Sequence, residues 1–223
     1  MPADSAPTNL TNHFLIAMPG LSDDLFGRSV VFMCEHSERG ALGLVINKPS
    51  DILLPRLFEK VELPLGRADL AQVPVFQGGP VQTERGFVLH EAIETGTEGE
   101  TVYASTMTIP GGLEMTTSKD VLEAMASGGG PRRVFVSLGY ASWGKGQLES
   151  EITENSWLTV EADPALIFDT PVEERYEKAM ALLAPTGGSD LRSGGAWRLC
   201  VHAWPASGDS IQGCRPSRAM AFS

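Results

Sequence analysis

Hydrophobic residues along the chain fall mostly into short runs of β-forming residues, separated by turn signals. The strand-like runs cover residues 13–18, 29–36, 41–47, 73–77, 86–90, 101–108, 133–138 and 157–160. Glycine or proline follows several of them, which limits each strand to the usual length. Residues 37–40, with Gly40 last, separate the second and third runs by the length of a hairpin loop. The pattern predicts a sheet with antiparallel neighbours.

Other segments have the apolar spacing of amphipathic helices. They are 52–61, 117–126, 146–155 and 171–183. Pro55 must lie in the first turn of its helix or interrupt it, Ser118 is placed to cap the second helix, and Pro171 opens the last one. Because hairpins and crossovers are mixed, we expect an α+β or mixed α/β fold. It is a single domain with a mixed, largely antiparallel sheet flanked by helices, not a regular doubly wound sheet.

The chain divides into three parts by composition. Residues 1–11 are small and polar and are predicted to be a flexible leader. Residues 12–183 carry the strand and helix pattern and are predicted to form one domain. Residues 184–223 contain no lysine and no sustained hydrophobic period, and glycine pairs interrupt them. This C-terminal tail is predicted to be poorly ordered, so that 223 residues make one domain with an appendage.

Composition and charge narrow the class of protein. The formal net charge is −11, and a surface of that sign repels phosphate backbones unless its few cations cluster. Direct nucleic-acid binding is therefore disfavoured. No apolar stretch approaches the ~20 residues of a membrane span, and the N-terminal residues lack the pattern of a signal peptide. Three cysteines give no disulfide framework, so we expect a cytoplasmic protein without membrane contact.

The sequence Cys34-Glu35-His36 is the strongest candidate for catalytic chemistry. On a regular strand Cys34 and His36 point to the same face, where a thiolate–imidazole pair is possible. The competing interpretation is a buried structural cysteine, which is more common. The histidines form no pair spaced four residues apart, so neither a metal site nor a cofactor is predicted.

Two glycine-containing stretches are candidate binding elements. Gly78-Gly79-Pro80 follows a strand but lacks the remainder of a nucleotide-binding fingerprint, so a tight turn is expected, with Arg85 offering a charge nearby. Residues 139–151 join a buried strand to a helix. Their glycines permit a ligand to approach the helix N-terminus, or the stretch is a packing element that docks Trp143 in the core. The sequence leaves both interpretations open.

Three segments together resemble the AlgH/YqgE family of bacterial proteins. They are FLIAMPGLSDDLFGRSVVFMCEHSERGALGLVINKP, FQGGPVQTERGFVLH and SLGYASWGKGQLESEITENSWL, and the resemblance runs over about residues 9–183. It implies a single cytosolic α/β domain of mixed topology. It also implies membership of a family that is usually labelled as transcriptional regulators and has no established enzyme activity. Ser142 stands where the family usually has glycine, and the tail after residue 183 has no counterpart.

We therefore expect a non-enzymatic regulatory or binding protein that acts through a small molecule or a protein partner. The alternative is a hydrolase or transferase that uses Cys34, Glu35 and His36. The expected ligand or partner surface combines the hairpin, the glycine turn and the 139–151 stretch. Its residues are Arg28, Cys34, Glu35, His36, Asn47, Lys48, Gly78, Gly79, Pro80, Arg85, His90, Tyr140, Trp143, Gln147 and Glu151.

Overall fold

The computed structural model describes residues 9–21, 25–93 and 101–183, and it arranges them around one mixed sheet. The strands are β1 (His13–Ala17), β2 (Val30–Ser37), β3 (Gly40–Val45), β4 (Pro49–Leu53), β5 (Pro74–Gln77), β6 (Val81–Glu91), β7 (Thr106–Ile109), β8 (Leu113–Thr116), β9 (Val134–Gly144) and β10 (Trp157–Glu161). The helices are α1 (Leu54–Lys60), α2 (Asp120–Ala126), α3 (Gln147–Thr153), α4 (Pro164–Phe168) and α5 (Arg175–Leu182).

The sheet is almost entirely antiparallel. Its main order is β10-β1-β2-β3-β9-β6-β8-β7, with β5 also beside β9 and β4 beside β5. Only the pairing of β5 with β9 is parallel among the strands described. This arrangement confirms the predicted single domain with a mixed, largely antiparallel sheet, including the hairpin of β2 and β3.

Alternation along the strands divides the core between the two faces of the sheet. Phe14 and Ile16 of β1 join a first cluster, which α4 and α5 cover, while Leu15 and Ala17 join a second cluster under α3. A third cluster lies where β6 and β9 meet α1 and α2. Strand β1 therefore supplies residues to two apolar clusters, as expected for a strand in a sheet with helices on both faces.

The central strand β9 holds the two halves of the sheet together. Its first half pairs with β5 and β6, and its second half pairs with β3. Gly139 lies between the halves with φ of 72°, a left-handed conformation that glycine adopts without strain. The predicted strand 133–138 was therefore too short, because pairing with β3 continues the strand to Gly144.

Several other elements differ from the sequence pattern. β4, β8 and α4 were not predicted. The last helix begins at Arg175, after a 3-10 turn at Val172–Glu174. Ser118 does not cap α2, because its hydroxyl contacts the carboxylate of Asp120 and the carbonyl of Ala104 instead of a helix N–H.

The chain ends agree only partly with the predicted domains. Within the expected leader, Leu10 is buried in the second cluster, and the Thr11 hydroxyl accepts a hydrogen bond from the His36 backbone N–H. The packed domain therefore begins before residue 12. Residues 1–8 and the predicted tail 184–223 lie outside the described part of the chain. No helix among the described residues is long and apolar enough to cross a membrane.

Candidate functional site

The three sequence motifs meet in the fold through their backbones. β3 pairs with β9 from Gly40 opposite Gly144 to Gly43 opposite Ala141. The Gly78 N–H donates to the Leu138 carbonyl, and the Gly78 carbonyl accepts from the Val45 N–H. The motifs therefore meet through close contact between backbone segments. This contact accounts for the presence of glycine at these positions without a ligand.

The 139–151 stretch encloses a carboxylate between two tryptophans. Glu151 Oε2 accepts hydrogen bonds from the indole N–H groups of Trp143 at 2.9 Å and Trp157 at 2.8 Å. Gln147 donates to the other oxygen at 2.9 Å and accepts from the Gly144 N–H at 3.0 Å. Trp143 is only 5% exposed. The sequence allowed either a ligand-binding stretch or a packing element. The contacts of Trp143, Gln147 and Glu151 are those of a packing element.

Cys34 and His36 do not form the pair that a regular strand would make. Met33 lies opposite Gly43 and Glu35 opposite Leu42, so β2 has one extra residue at Cys34, a β-bulge. Cys34 packs in the first cluster. His36 instead contacts Leu10 of the second cluster and Glu149 of α3. The expectation that both side chains share one face was wrong, because the bulge shifts the alternation.

The Cys34 thiol is expected to react slowly with iodoacetamide near neutral pH. It is 2% exposed, and burial raises the pKa of the Cys34 thiol. Because the thiolate is the nucleophile, both effects suppress alkylation. We expect a rate at least about 100-fold below that of a free-thiol peptide, measured by mass spectrometry of the Cys34 peptide in the folded protein. Alkylation as fast as the peptide would show an accessible thiolate. A urea-unfolded sample provides the control.

His36 is held in one orientation on the surface of the second cluster. Its Nδ1 accepts from the Leu10 backbone N–H at 3.0 Å, so Nε2 carries the hydrogen of the neutral ring. That Nε2–H points at Glu149 Oε1, 3.0 Å away. The contacts tie β2, α3 and the chain before β1 together, which is a structural role.

Arg28, Asn47 and Lys48 lie around the chain that enters β2. Asn47 accepts from the Val30 N–H at 2.8 Å and donates to the Arg28 carbonyl at 2.8 Å, while Lys48 donates to the Gly27 carbonyl at 2.9 Å. The Arg28 guanidinium pairs with Glu177 at 2.7 Å. Glu35 is half-buried beside Arg39 and Ser142, in a shallow depression of about 170 Å³.

The larger cavity is a cleft of about 280 Å³ with an apolar floor and a polar rim, which we call the Arg85 cleft. It is lined by Leu42, Gln82, Arg85, Phe87, Ser105, Thr106, Met107, Met115, Thr117 and Tyr140. Arg85 donates to Thr117 Oγ1 at 3.0 Å and to Gln82 Oε1 at 3.4 Å. Within the described ranges its guanidinium has no carboxylate partner. Of the predicted surface, Arg85 and Tyr140 reach this cleft.

His90 lies in the interior, near the third cluster. Its Nε2 is 2.9 Å from Thr116 Oγ1, and its ring meets the Tyr103 ring edge-on at 5.7 Å between centroids. Glu114, opposite His90 in the sheet, is buried with it. Glu114 and Thr116 were not predicted as site residues, because the alternation Leu-Glu-Met-Thr of β8 is also the pattern of a half-exposed strand. No group of metal-binding side chains occurs in the part of the chain that the structure describes.

Comparison with known proteins identifies close relatives. A model described as AlgH-like matches residues 14–186. A UPF0301 protein of Variovorax paradoxus is 75% identical over 205 residues, which cover 91% of this chain and 98% of the relative. A UPF0301 protein of Polaromonas is 75% identical over 183 residues, with 82% and 93% covered.

Two solved structures are similar. The solution structure of the AlgH protein from Pseudomonas aeruginosa matches with a TM-score of 0.66 and 46% identity, over 86% of this chain and 98% of the other. A crystal structure of a protein from Corynebacterium diphtheriae matches with a TM-score of 0.62 over 77% of this chain and 85% of that one. Its 21% identity supports a common fold alone.

Proposed function

This chain belongs to the AlgH-like family, and we propose that it is a non-enzymatic regulatory protein that binds a small organic anion in the Arg85 cleft. The ligand has an apolar body and one acidic group, a carboxylate or a sulfonate-like head. Binding alters the surface that a protein partner of the regulatory pathway contacts. The family label of transcriptional regulator then reflects an indirect action, through that partner.

The observation that carries the proposal is the state of Arg85. Its guanidinium is at the rim of a cleft whose floor is made by Leu42, Phe87, Met107, Met115 and Tyr140. Among the described residues it donates to neutral oxygens of Thr117 and Gln82 and lies 5.9 Å from the centroid of the Phe87 ring. A cation above an apolar floor suits a ligand with an apolar body and an anionic group.

The alternative enzyme loses support from the geometry of its residues. Cys34 and His36 lie in different layers on either side of the sheet, and the thiol is buried. A base that activates a nucleophile must come within hydrogen-bond reach of it. Glu35, Cys34 and His36 therefore do not make a catalytic set in this conformation.

We expect no detectable binding of random-sequence duplex DNA at physiological salt. The chain carries a net charge of −11, and two of its arginines form ion pairs with acidic residues. Arg28 pairs with Glu177, and Arg133 pairs with Glu91 and Asp169. A fluorescence anisotropy titration tests this expectation. A dissociation constant below about 1 µM would contradict it, because affinity of that kind requires clustered phosphate contacts.

The ligand site is tested with anilinonaphthalene sulfonate, a fluorescent anion with an apolar body. We expect it to bind the full chain, and Arg85→Gln to weaken binding about tenfold through loss of one charge-assisted contact. The matched control is Arg56→Gln, which removes an exposed cation that pairs with Glu59 on α1, away from the cleft. Equal affinities for Arg85→Gln and the wild type, or equal losses in both variants, would exclude the cleft as the site.

A further inference from the structure

A chain of polar side chains connects the Arg85 cleft to the interior. Thr106 lines the cleft, and its Oγ1 is 2.7 Å from Thr116 Oγ1. Thr116 Oγ1 is 2.9 Å from His90 Nε2, and His90 Nδ1 is 3.9 Å from Glu114 Oε2. His90 and Thr116 are wholly buried. We call Thr106, Thr116, His90 and Glu114 the His90 network.

The hydrogen positions in this network follow from its partners. His90 Nδ1 is 2.8 Å from the Glu91 carbonyl, which can only accept, so Nδ1 carries a hydrogen. In the neutral ring, Nε2 must then accept from Thr116, and Thr116 in turn accepts from Thr106. In the protonated ring, Nε2 donates to Thr116, Thr116 donates to Thr106, and Thr106 donates elsewhere. Protonation of His90 therefore reverses the direction of both hydroxyls.

The reversal changes what Thr106 presents to the cleft. With neutral His90, the single Thr106 hydrogen points inward to Thr116, so Thr106 no longer donates to the Tyr103 carbonyl 2.9 Å away and offers only a lone pair to a ligand. With protonated His90, that hydrogen is released to donate to the Tyr103 carbonyl at 2.9 Å or to a ligand oxygen. The Tyr103 carbonyl also accepts from the Thr101 hydroxyl at 3.1 Å, so it can give up Thr106. An anion in the cleft accepts hydrogen bonds and so favours the protonated state.

The buried carboxylate of Glu114 favours a proton on His90. The side chain is 4% exposed, and Oε2 has no hydrogen-bond partner among the described residues. A buried carboxylate oxygen in this state is costly, and a positive charge on His90 offsets part of the cost.

The other ionisable groups near the His90 network do not take the place of Glu114 as the partner of a protonated His90. The Tyr103 ring packs against His90, and burial, followed by the nearby Asp120 and Glu114, raises the pKa of Tyr103, which keeps its hydroxyl neutral. The Glu91 carboxylate pairs with Arg133 at 3.2 Å. The residues that α1 and α2 bury in the adjoining third cluster are apolar: Leu54, Phe58, Val121 and Met125.

We propose that anion binding in the Arg85 cleft is coupled to proton uptake by the His90–Glu114 pair, through the hydroxyls of Thr106 and Thr116. This coupling rests on the proposed ligand site, and it adds that pH regulates binding at that site. Since coupling between two binding events is reciprocal, lower pH raises the affinity for the anion by the same factor by which the anion favours the proton. The protein then responds to an organic acid most strongly when the surroundings are acidic.

Calorimetry with anilinonaphthalene sulfonate tests the coupling in the full chain. Titrations in two buffers of different ionisation enthalpy report the protons taken up on binding. We expect the wild type to take up a measurable fraction of a proton, and its affinity to rise about fivefold or more between about pH 8 and pH 6. Thr116→Val removes both hydroxyl links at nearly constant volume. We expect this variant to bind near pH 8 within about twofold of the wild type, with no proton uptake.

The controls separate this proposal from the ligand site itself. Thr153→Val removes a hydroxyl that bonds to Glu149 on α3, outside the network, and should keep both binding and proton uptake. Binding by the wild type without proton uptake, or unchanged uptake in Thr116→Val, would overturn the coupling and leave the ligand site standing. If no probe binds to the wild type at any pH, the ligand site and the coupling both fall.

A measurement on the free protein tests the hydrogen positions without a ligand. Nitrogen NMR shifts of the imidazoles should show neutral His90 with its hydrogen on Nδ1 and neutral His36 with its hydrogen on Nε2. The opposite arrangement at His90 would overturn the proposal, because Thr116 could not then donate to Nε2.

Discussion

Gly79→Ala is expected to destabilise the folded protein by about 4 kcal/mol or more, the largest effect of a single methyl group that we anticipate. A Cβ at this position would lie 2.2 Å from the Tyr140 carbonyl carbon and 2.3 Å from the Ala141 nitrogen. Gly79 also has φ of 154°, which side-chain-bearing residues rarely adopt. The clashing atoms belong to β9, which β3 and β6 hold on either side, so the backbone cannot easily move away.

Urea denaturation followed by circular dichroism measures this loss as a lower midpoint. Gly86→Ala is the matched control, because it lies in β6 and a Cβ there meets nothing within 4 Å. We expect this control to change stability by less than about 1 kcal/mol. If the two variants had the same midpoint, the glycine turn would be packed more loosely against β9 than described here.

Glu151→Ala is expected to lower the free energy of unfolding by about 3 kcal/mol. The substitution leaves the indole N–H groups of Trp143 and Trp157 and the amide of Gln147 without their acceptor. Each buried donor left unpaired costs about 1–3 kcal/mol, and water at the half-buried Glu151 position recovers part of that cost. Tryptophan fluorescence in a denaturant titration reports both the stability and the altered surroundings of the two indoles.

Two variants sharpen the interpretation of that result. Glu151→Gln keeps one carbonyl oxygen that can accept from both indoles, so we expect a loss between those of the wild type and of Glu151→Ala. Glu154→Ala removes an exposed carboxylate directly after α3. Among the described residues, this carboxylate accepts a hydrogen bond from the Ser150 hydroxyl. We expect that control to stay within about 0.5 kcal/mol of the wild type. A loss in Glu154→Ala as large as in Glu151→Ala would show that the effect is general to α3.

The local sequence pattern determined most of the strands and the fold class. Hydrophobic alternation and turn residues predicted β1, β2, β3 and β5, and the hairpin of β2 and β3, because these signals act over a few neighbouring residues. The resemblance to the AlgH/YqgE family named the correct family. The glycines at positions 78 and 79 predicted a tight turn, although not the strand against which that turn packs.

The candidate site depended on contacts that are remote in sequence. A bulge opposite Gly43 separated Cys34 from His36, and pairing with β3 extended the predicted strand 133–138 to Gly144. The cleft around Arg85 is lined by residues of β3, β6, β7, β8 and β9. The local sequence around each strand does not determine which strands come together at the cleft.

The burial of Glu114 shows most clearly what local sequence determines and what tertiary contacts determine. In the sequence it is an acid that alternates with apolar neighbours, which is the pattern of a solvent-facing position. In the fold it lies opposite His90 and is only 4% exposed. Alternation decides which residues of a strand share a face. What covers that face is decided by strands and helices that arrive from elsewhere in the chain, through register and long-range packing.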